Sequence, residues 1–140
     1  MTEKFKILAE FVKDMSSETP DIESYLFVKN QISKYQLNID INSKPLKNKM
    51  IEVNTIVKFN DKELSEKKSV FEIIYSTIVK ISDEIKTKKD LEKIILCDVQ
   101  NKIFPNIEKT FLNLLHNSGY SEVKLEKKID FEKLYKEKFS

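Results

Sequence analysis

A chain of 140 residues with 40% hydrophobic and 34% charged side chains is long enough for one domain with a modest core. One glycine, one cysteine, one histidine and no tryptophan exclude a glycine-rich phosphate loop, an intrachain disulfide and the usual four-ligand Cys/His zinc site. The 25 basic residues are all lysine and nearly balance 23 acids, giving a net charge of +2, so the concentrated, arginine-bearing stripe of a nucleic-acid reader is missing.

Phe5, Ile7, Ala9 and Phe11 alternate with Lys6, Leu8, Glu10 and Val12, the period of a first strand. Asp14 to Pro20 is expected to break that strand with small and polar residues. Residues 21–33 read as a mixed connection, a short helix being one option, with Phe27 tucked inward. A second strand is predicted from Tyr35, Leu37, Ile39 and Ile41 alternating with Gln36, Asn38, Asp40 and Asn42, one face buried and the other wet. Ser43 to Asn48, with Pro45, reads as a turn.

The third strand places Ile51, Val53, Thr55, Val57 and Phe59 on one face. Asn60 to Lys68 reads as the next turn. The fourth strand, Ser69 to Ile81, is apolar on both faces, with Phe71, Ile73, Tyr75, Thr77, Val79 and Ile81 against Val70, Ile74 and Ile78. It is therefore either central or covered on both sides.

From Thr87 to about His116 the period changes. Leu91, Ile94, Ile95, Val99, Ile103, Ile107, Phe111, Leu114 and Leu115 recur at steps of three and four, a helical stripe. Thr87 and Asp90 resemble a capping box. Pro105 predicts a kink near Asn101 to Phe104. Gly119 supplies the left-handed residue that ends the helix. Val123 to Lys128 reads as extended. Asp130 caps a last helix bearing Phe131, Leu134 and Tyr135, with fraying expected over 136–140. The fold class is thus α+β: a four-stranded antiparallel sheet with a long kinked helix and a short C-terminal helix on one face, all in one domain spanning 1–140.

Little here can carry catalysis or hold a metal or cofactor. Cys97 and His116 are 19 positions apart on one predicted helix, roughly 28 Å along its axis. Cys97 reads as a small core residue and His116 as a cation favoured at a helix C-terminus. No run reaches the roughly 20 apolar residues of a membrane span. Met1 to Ala9 carries charges and no signal-peptide core. A soluble cytoplasmic protein that neither binds nucleic acid nor enters the membrane is expected. Aromatic side chains at strand starts, connections and the kink, namely Phe11, Tyr25, Phe27, Tyr35, Phe104 and Tyr120, are candidates to line an apolar groove for other chains, or else ordinary core.

Several strings resemble the SecB family of bacterial protein-export chaperones. Phe11-Val12-Lys13-Asp14-Met15-Ser16-Ser17-Glu18-Thr19-Pro20 is similar to the first-strand signature, an aromatic followed by x-K-D-x-S-x-E-x-P. Gln36 to Ile41 resembles the second strand and Ile51-Glu52-Val53 the start of the third. Val70-Phe71-Glu72-Ile73-Ile74 falls where the family has L-C-E-V-Q. Ile103-Phe104-Pro105 resembles the F-P of the long helix, with Gly119 at family spacing, and Lys128 to Tyr135 resembles the V-N-F-D-x-L-[FY] ending.

The resemblance implies a homotetramer, a dimer of dimers with helices at its inner interface. It implies a chaperone that takes up unfolded preproteins in apolar grooves and delivers them to the translocation ATPase SecA. By position, Asp14, Glu18, Val70 and Glu72 map to the SecA-contacting residues. Some SecB-like proteins instead protect an antitoxin, and a non-catalytic interaction scaffold is a further reading. The family members compared are acidic, whereas this chain is slightly basic, and the family's glycine-bearing end of strand four is here Ser76-Thr77-Ile78-Val79.

Overall fold

Four antiparallel strands form one sheet, and their faces follow from alternation. The protein's structure is a computed structural model that describes residues 4–60, 70–124 and 129–139. The strands are β1 (Phe5–Glu18), β2 (Gln36–Pro45), β3 (Met50–Asn60) and β4 (Val70–Ile81), in the order β1-β4-β3-β2. The central position of β4 explains its two apolar faces. Its Phe71, Ile73, Tyr75, Thr77, Val79 and Ile81 are all buried beneath the helices. So are Ile51, Val53, Thr55, Val57 and Phe59 of β3.

Because β1 and β2 lie at opposite edges, the chain must cross the sheet between them, and helix α1 (Ile22–Gln31) makes the crossing. Asp21 caps α1, its side chain accepting from the Ser24 amide at 2.7 Å. Phe27 is not tucked inward: it stays 40% exposed, while Ser24 and Val28 are buried. Five apolar residues within Ile22 to Val28 cannot all face one way on a helix of 3.6 residues per turn.

The first strand also differs from expectation. Asp14 to Glu18 continue β1 by pairing with Ile74 to Val70, because an edge strand can keep polar side chains in water. The register shifts between Ile7 and Ala9 and between Val12 and Asp14, so Leu8 and Lys13 are extra residues of two bulges. Each bulge reverses the alternation. Ala9 and Phe11 therefore lie on the face opposite Phe5 and Ile7, not beside them.

Strand β2 runs on through Pro45, so the β2–β3 turn sits at Leu46 to Lys49, later than predicted. Asn48 and Lys49 both take φ of 61° there, as a tight hairpin demands. The expected turn over 61–68 and part of the expected extended segment, 125–128, lie outside the described residues.

The long helix spans 88–117 in three pieces: α2 (Lys88–Lys93), a π turn (Ile94–Asp98) and α3 (Val99–Asn117). Thr87 caps it, its hydroxyl accepting from the Asp90 amide at 3.1 Å. The interruption falls at the π turn rather than at Asn101 to Phe104. Leu91, Ile95, Val99, Ile103, Ile107, Phe111 and Leu115 recur every four residues, which drifts about 40° per step around an α-helix. The wider closure of a π turn takes up the surplus residue and keeps the stripe over the sheet. Pro105 is accommodated within α3; it and Asn101 are exposed, so water can reach the carbonyl that proline leaves unpaired.

Beyond Asn117 the Tyr120 amide donates to the Leu115 carbonyl (3.0 Å) and the Gly119 amide to the His116 carbonyl (3.1 Å), with Gly119 at φ 103°. This is a Schellman motif, and it needs glycine. Helix α4 (Phe131–Phe139) docks through Phe131, whose ring lies 5.2 Å from Phe104 and whose carbonyl accepts from Cys97 Sγ at 3.5 Å. Burial pushes the Cys97 thiol pKa up, consistent with a packing role.

Candidate functional site

Pairing of β1 with β4 decides which candidate residues meet. Asp14 lies opposite Ile74, Ser16 opposite Glu72 and Glu18 opposite Val70. Paired residues share a face, so Asp14, Glu18, Val70 and Glu72 gather on the sheet surface turned away from the helices. Glu72 has Ser16 on one side and Lys58 on the other. Val70 is 40% exposed and both β1 acids are exposed. Further along the same face, Lys13 Nζ lies 3.6 Å from Glu52 Oε2. A hydrogen bond from Asn54, together with Lys13, lowers the Glu52 pKa below the usual carboxylate range.

The aromatic candidates do not converge. Phe11, turned by the first bulge, lies opposite Ser76 on the outer face with the acids. Tyr25 and Tyr120 meet at 5.3 Å between ring centroids, and the Tyr25 hydroxyl donates to the Gly119 carbonyl at 2.8 Å. Tyr35 packs on Phe59 and Phe71, and Phe104 on Phe131 at the other end of the helix layer. Tyr35, Phe104 and Tyr120 are buried within this one chain, which leaves Phe11, Phe27 and half-buried Tyr25 with surface to offer.

Residues that the strand and groove patterns did not single out complete the open surface. Leu8, Val12 and Met15 of β1 and Ile22 and Leu26 of α1 are exposed at 41–67%. Their signal was available: β1 carries apolar side chains on both sides of a strand that ends the sheet, and Ile22 and Leu26 stand four apart on α1.

A polar tie crosses from the edge strand to the helix. Glu10 Oε1 accepts from the Tyr75 hydroxyl (2.9 Å) and from Asn106 Nδ2 (3.2 Å). Burial and the Glu10 carboxylate push the Tyr75 pKa up to about 12. An unfolded tyrosine titrates near about 10. Folding therefore favours the neutral phenol, and the tie's contribution is complete below pH 10 and lost as pH rises towards 12. Thermal midpoints measured between pH 9 and about 12 should fall more steeply for the wild type than for Tyr75→Phe, which has no phenol to ionise.

Cys97 and His116 do not meet. Cys97 is engaged with Phe131, and His116 Nε2 lies 3.0 Å from the Val123 carbonyl. Among the described residues no cluster of His, Cys, Asp and Glu could hold a metal ion, and no helix is long and apolar enough to cross a membrane. The described residues define an α+β protein: a helix-backed antiparallel sheet with an exposed apolar edge strand and charged side chains on its outer face.

The comparisons give the family and the fold. The family model described as preprotein translocase subunit SecB matches residues 1–140. A protein of Pelagibacter ubique (strain HTCC1062), assigned as a protein-export protein SecB, is 59% identical over 138 residues, covering 99% of each chain. The protein-export protein SecB of Mesorhizobium japonicum is 24% identical over 136 residues, covering 96% of this chain and 78% of its own. A solved SecB-like chaperone of Mycobacterium tuberculosis, in complex with a ChAD peptide from the HigA1 antitoxin, shares the fold with a TM-score of 0.64 at 9% identity, covering 89% of this chain and 91% of that one. The chain belongs to the SecB family, whose members are protein-export chaperones and not enzymes.

Proposed function

We propose that this chain holds unfolded preproteins in the cytoplasm and delivers them to SecA, working as a homotetramer, a dimer of dimers. The observation that supports this best is where the apolar surface lies. Of the ten large apolar side chains exposed among the described residues, seven (Leu8, Phe11, Val12, Met15, Ile22, Leu26 and Phe27) fall on β1 and α1. A 14-residue edge strand with open backbone groups invites another strand, and a second copy of β1 is the partner we assign to it. The α1 surface, Tyr25, Leu26 and Phe27 with Ile22, is then left for client segments. Binding the unfolded chain and not the folded one shifts the client away from folding and aggregation. The outer face with Asp14, Glu18, Val70 and Glu72 remains for SecA.

Light scattering from an unfolded precursor should fall in the presence of a several-fold excess of this protein. Leu26→Asp combined with Phe27→Asp should lose most of that suppression. No suppression by the wild type overturns the holding role, and suppression confined to a single antitoxin client would favour the antitoxin-directed role. Replacing Asp14, Glu18 and Glu72 by lysine should weaken SecA binding by about tenfold while client holding persists, three exposed pairs contributing about 0.5 kcal/mol each. Unchanged SecA affinity removes these acids from the docking face.

A further inference from the structure

A recess of about 390 Å³ lies at the end of the sheet where β4 leads into the long helix. Its size falls within the roughly 300–1,000 Å³ usual for ligand sites. Leu46, Met50 and Ile51 of the hairpin, Ile81 and Ile85 of the connection and Leu91 of α2 supply apolar lining. Lys49, Lys86 and Lys88 line it too, and among the described residues no carboxylate does. Backbone contacts hold the frame together. The Ile81 amide donates to the Lys49 carbonyl at 3.0 Å, tying β4 to the hairpin tip, and Thr87 caps the helix start. Lys49 is paired with Asp83, whose pKa that pairing lowers, so Asp83 is already engaged and Lys86 and Lys88 remain the exposed cations of the rim.

We propose that this recess binds a short extended segment of another protein in which large apolar side chains are flanked by aspartate or glutamate. The apolar lining takes the side chains and the lysines meet the carboxylates. The recess stands apart from the candidate docking residues: Glu72 and Ile81 are separated by nine residues of β4, about 30 Å. The proposal therefore does not rest on the chaperone reading.

The probe is a short labelled peptide with two leucines flanked by glutamates, compared with the same peptide flanked by lysines, using fluorescence anisotropy. The glutamate peptide should bind about tenfold tighter at low salt, with the gap closing as ionic strength rises. Lys86→Glu with Lys88→Glu should reverse the preference, and Leu46→Asp should weaken both peptides. These substitutions are at exposed positions, so an unchanged thermal midpoint is expected and checks the fold. Equal affinities, a preference untouched by the lysine reversals, amide shifts induced on β1 and α1 instead of the recess, or self-association that fills the recess would each overturn the proposal. Aggregation suppression by the Lys86→Glu, Lys88→Glu protein is read separately and is expected to persist.

Discussion

Phe71→Ala should destabilise the fold by about 3–5 kcal/mol, the range for emptying a fully buried phenylalanine site. Phe71 has no exposed surface. Its ring lies 6.4 Å from Phe59, 6.3 Å from Tyr35 and 5.4 Å edge-on from Tyr120. Those partners come from β3, from the connection before β2 and from the segment that follows α3. The sheet, the crossover and the end of the helix layer therefore close around one side chain, and little can collapse into the space it leaves. Urea unfolding should show the loss, and the thermal midpoint should drop by about 10–17 °C. The neighbouring Val70 faces the other way, so Val70→Ser should change stability by no more than about 0.5 kcal/mol. A larger loss at Val70 than at Phe71 would contradict the assignment of faces on β4.

That assignment was legible in the sequence because every second residue of β3 and β4, from Ile51 to Phe59 and from Phe71 to Ile81, is apolar or threonine, while the intervening positions carry Glu52, Lys58, Glu72 and Lys80. The long helix was legible through its apolar stripe and its end through Gly119. What alternation could not reveal is the pair of bulges in β1. Leu8 and Lys13 carry no signature of an inserted residue, and nearly every side chain of that strand is exposed, so burial cannot betray the register. The consequence reaches the site. Phe11 reads as a partner of Phe5 and Ile7 until the first bulge turns it to the acid-bearing face. The aromatic candidates divide between core and surface for a different reason. Tyr35, Phe104 and Tyr120 stand at element boundaries, where a sequence suggests exposure, and they are buried in a core that includes sequence-distant ring partners such as Phe59, Phe71 and Phe131. Asp14, Glu18, Val70 and Glu72 were singled out by resemblance alone. That they share one face follows from the register, which alternation within a single strand does not specify.

Gly119→Ala should cost about 2–4 kcal/mol and should impair client holding beyond what that loss explains. The backbone at Gly119 has φ 103°, where a side chain is strained by about 1–3 kcal/mol. An added Cβ would also sit 2.5 Å from Tyr25 Cε1, closer than real contacts allow. The ring must move, and with it go the hydrogen bond to the Gly119 carbonyl, worth about 1 kcal/mol, and the contact with Tyr120. Tyr25 belongs to α1, so the helix that displays Leu26 and Phe27 loses its seat on the helix layer. If the clash is the cause, Gly119→Ala should be less damaging in a Tyr25→Ala background, and the double variant should lose less stability than the sum of the single ones. Strictly additive losses in urea unfolding would mean that backbone strain alone sets the cost. If light scattering then also tracked stability alone, the placement of α1 by Gly119 would play no part in holding clients.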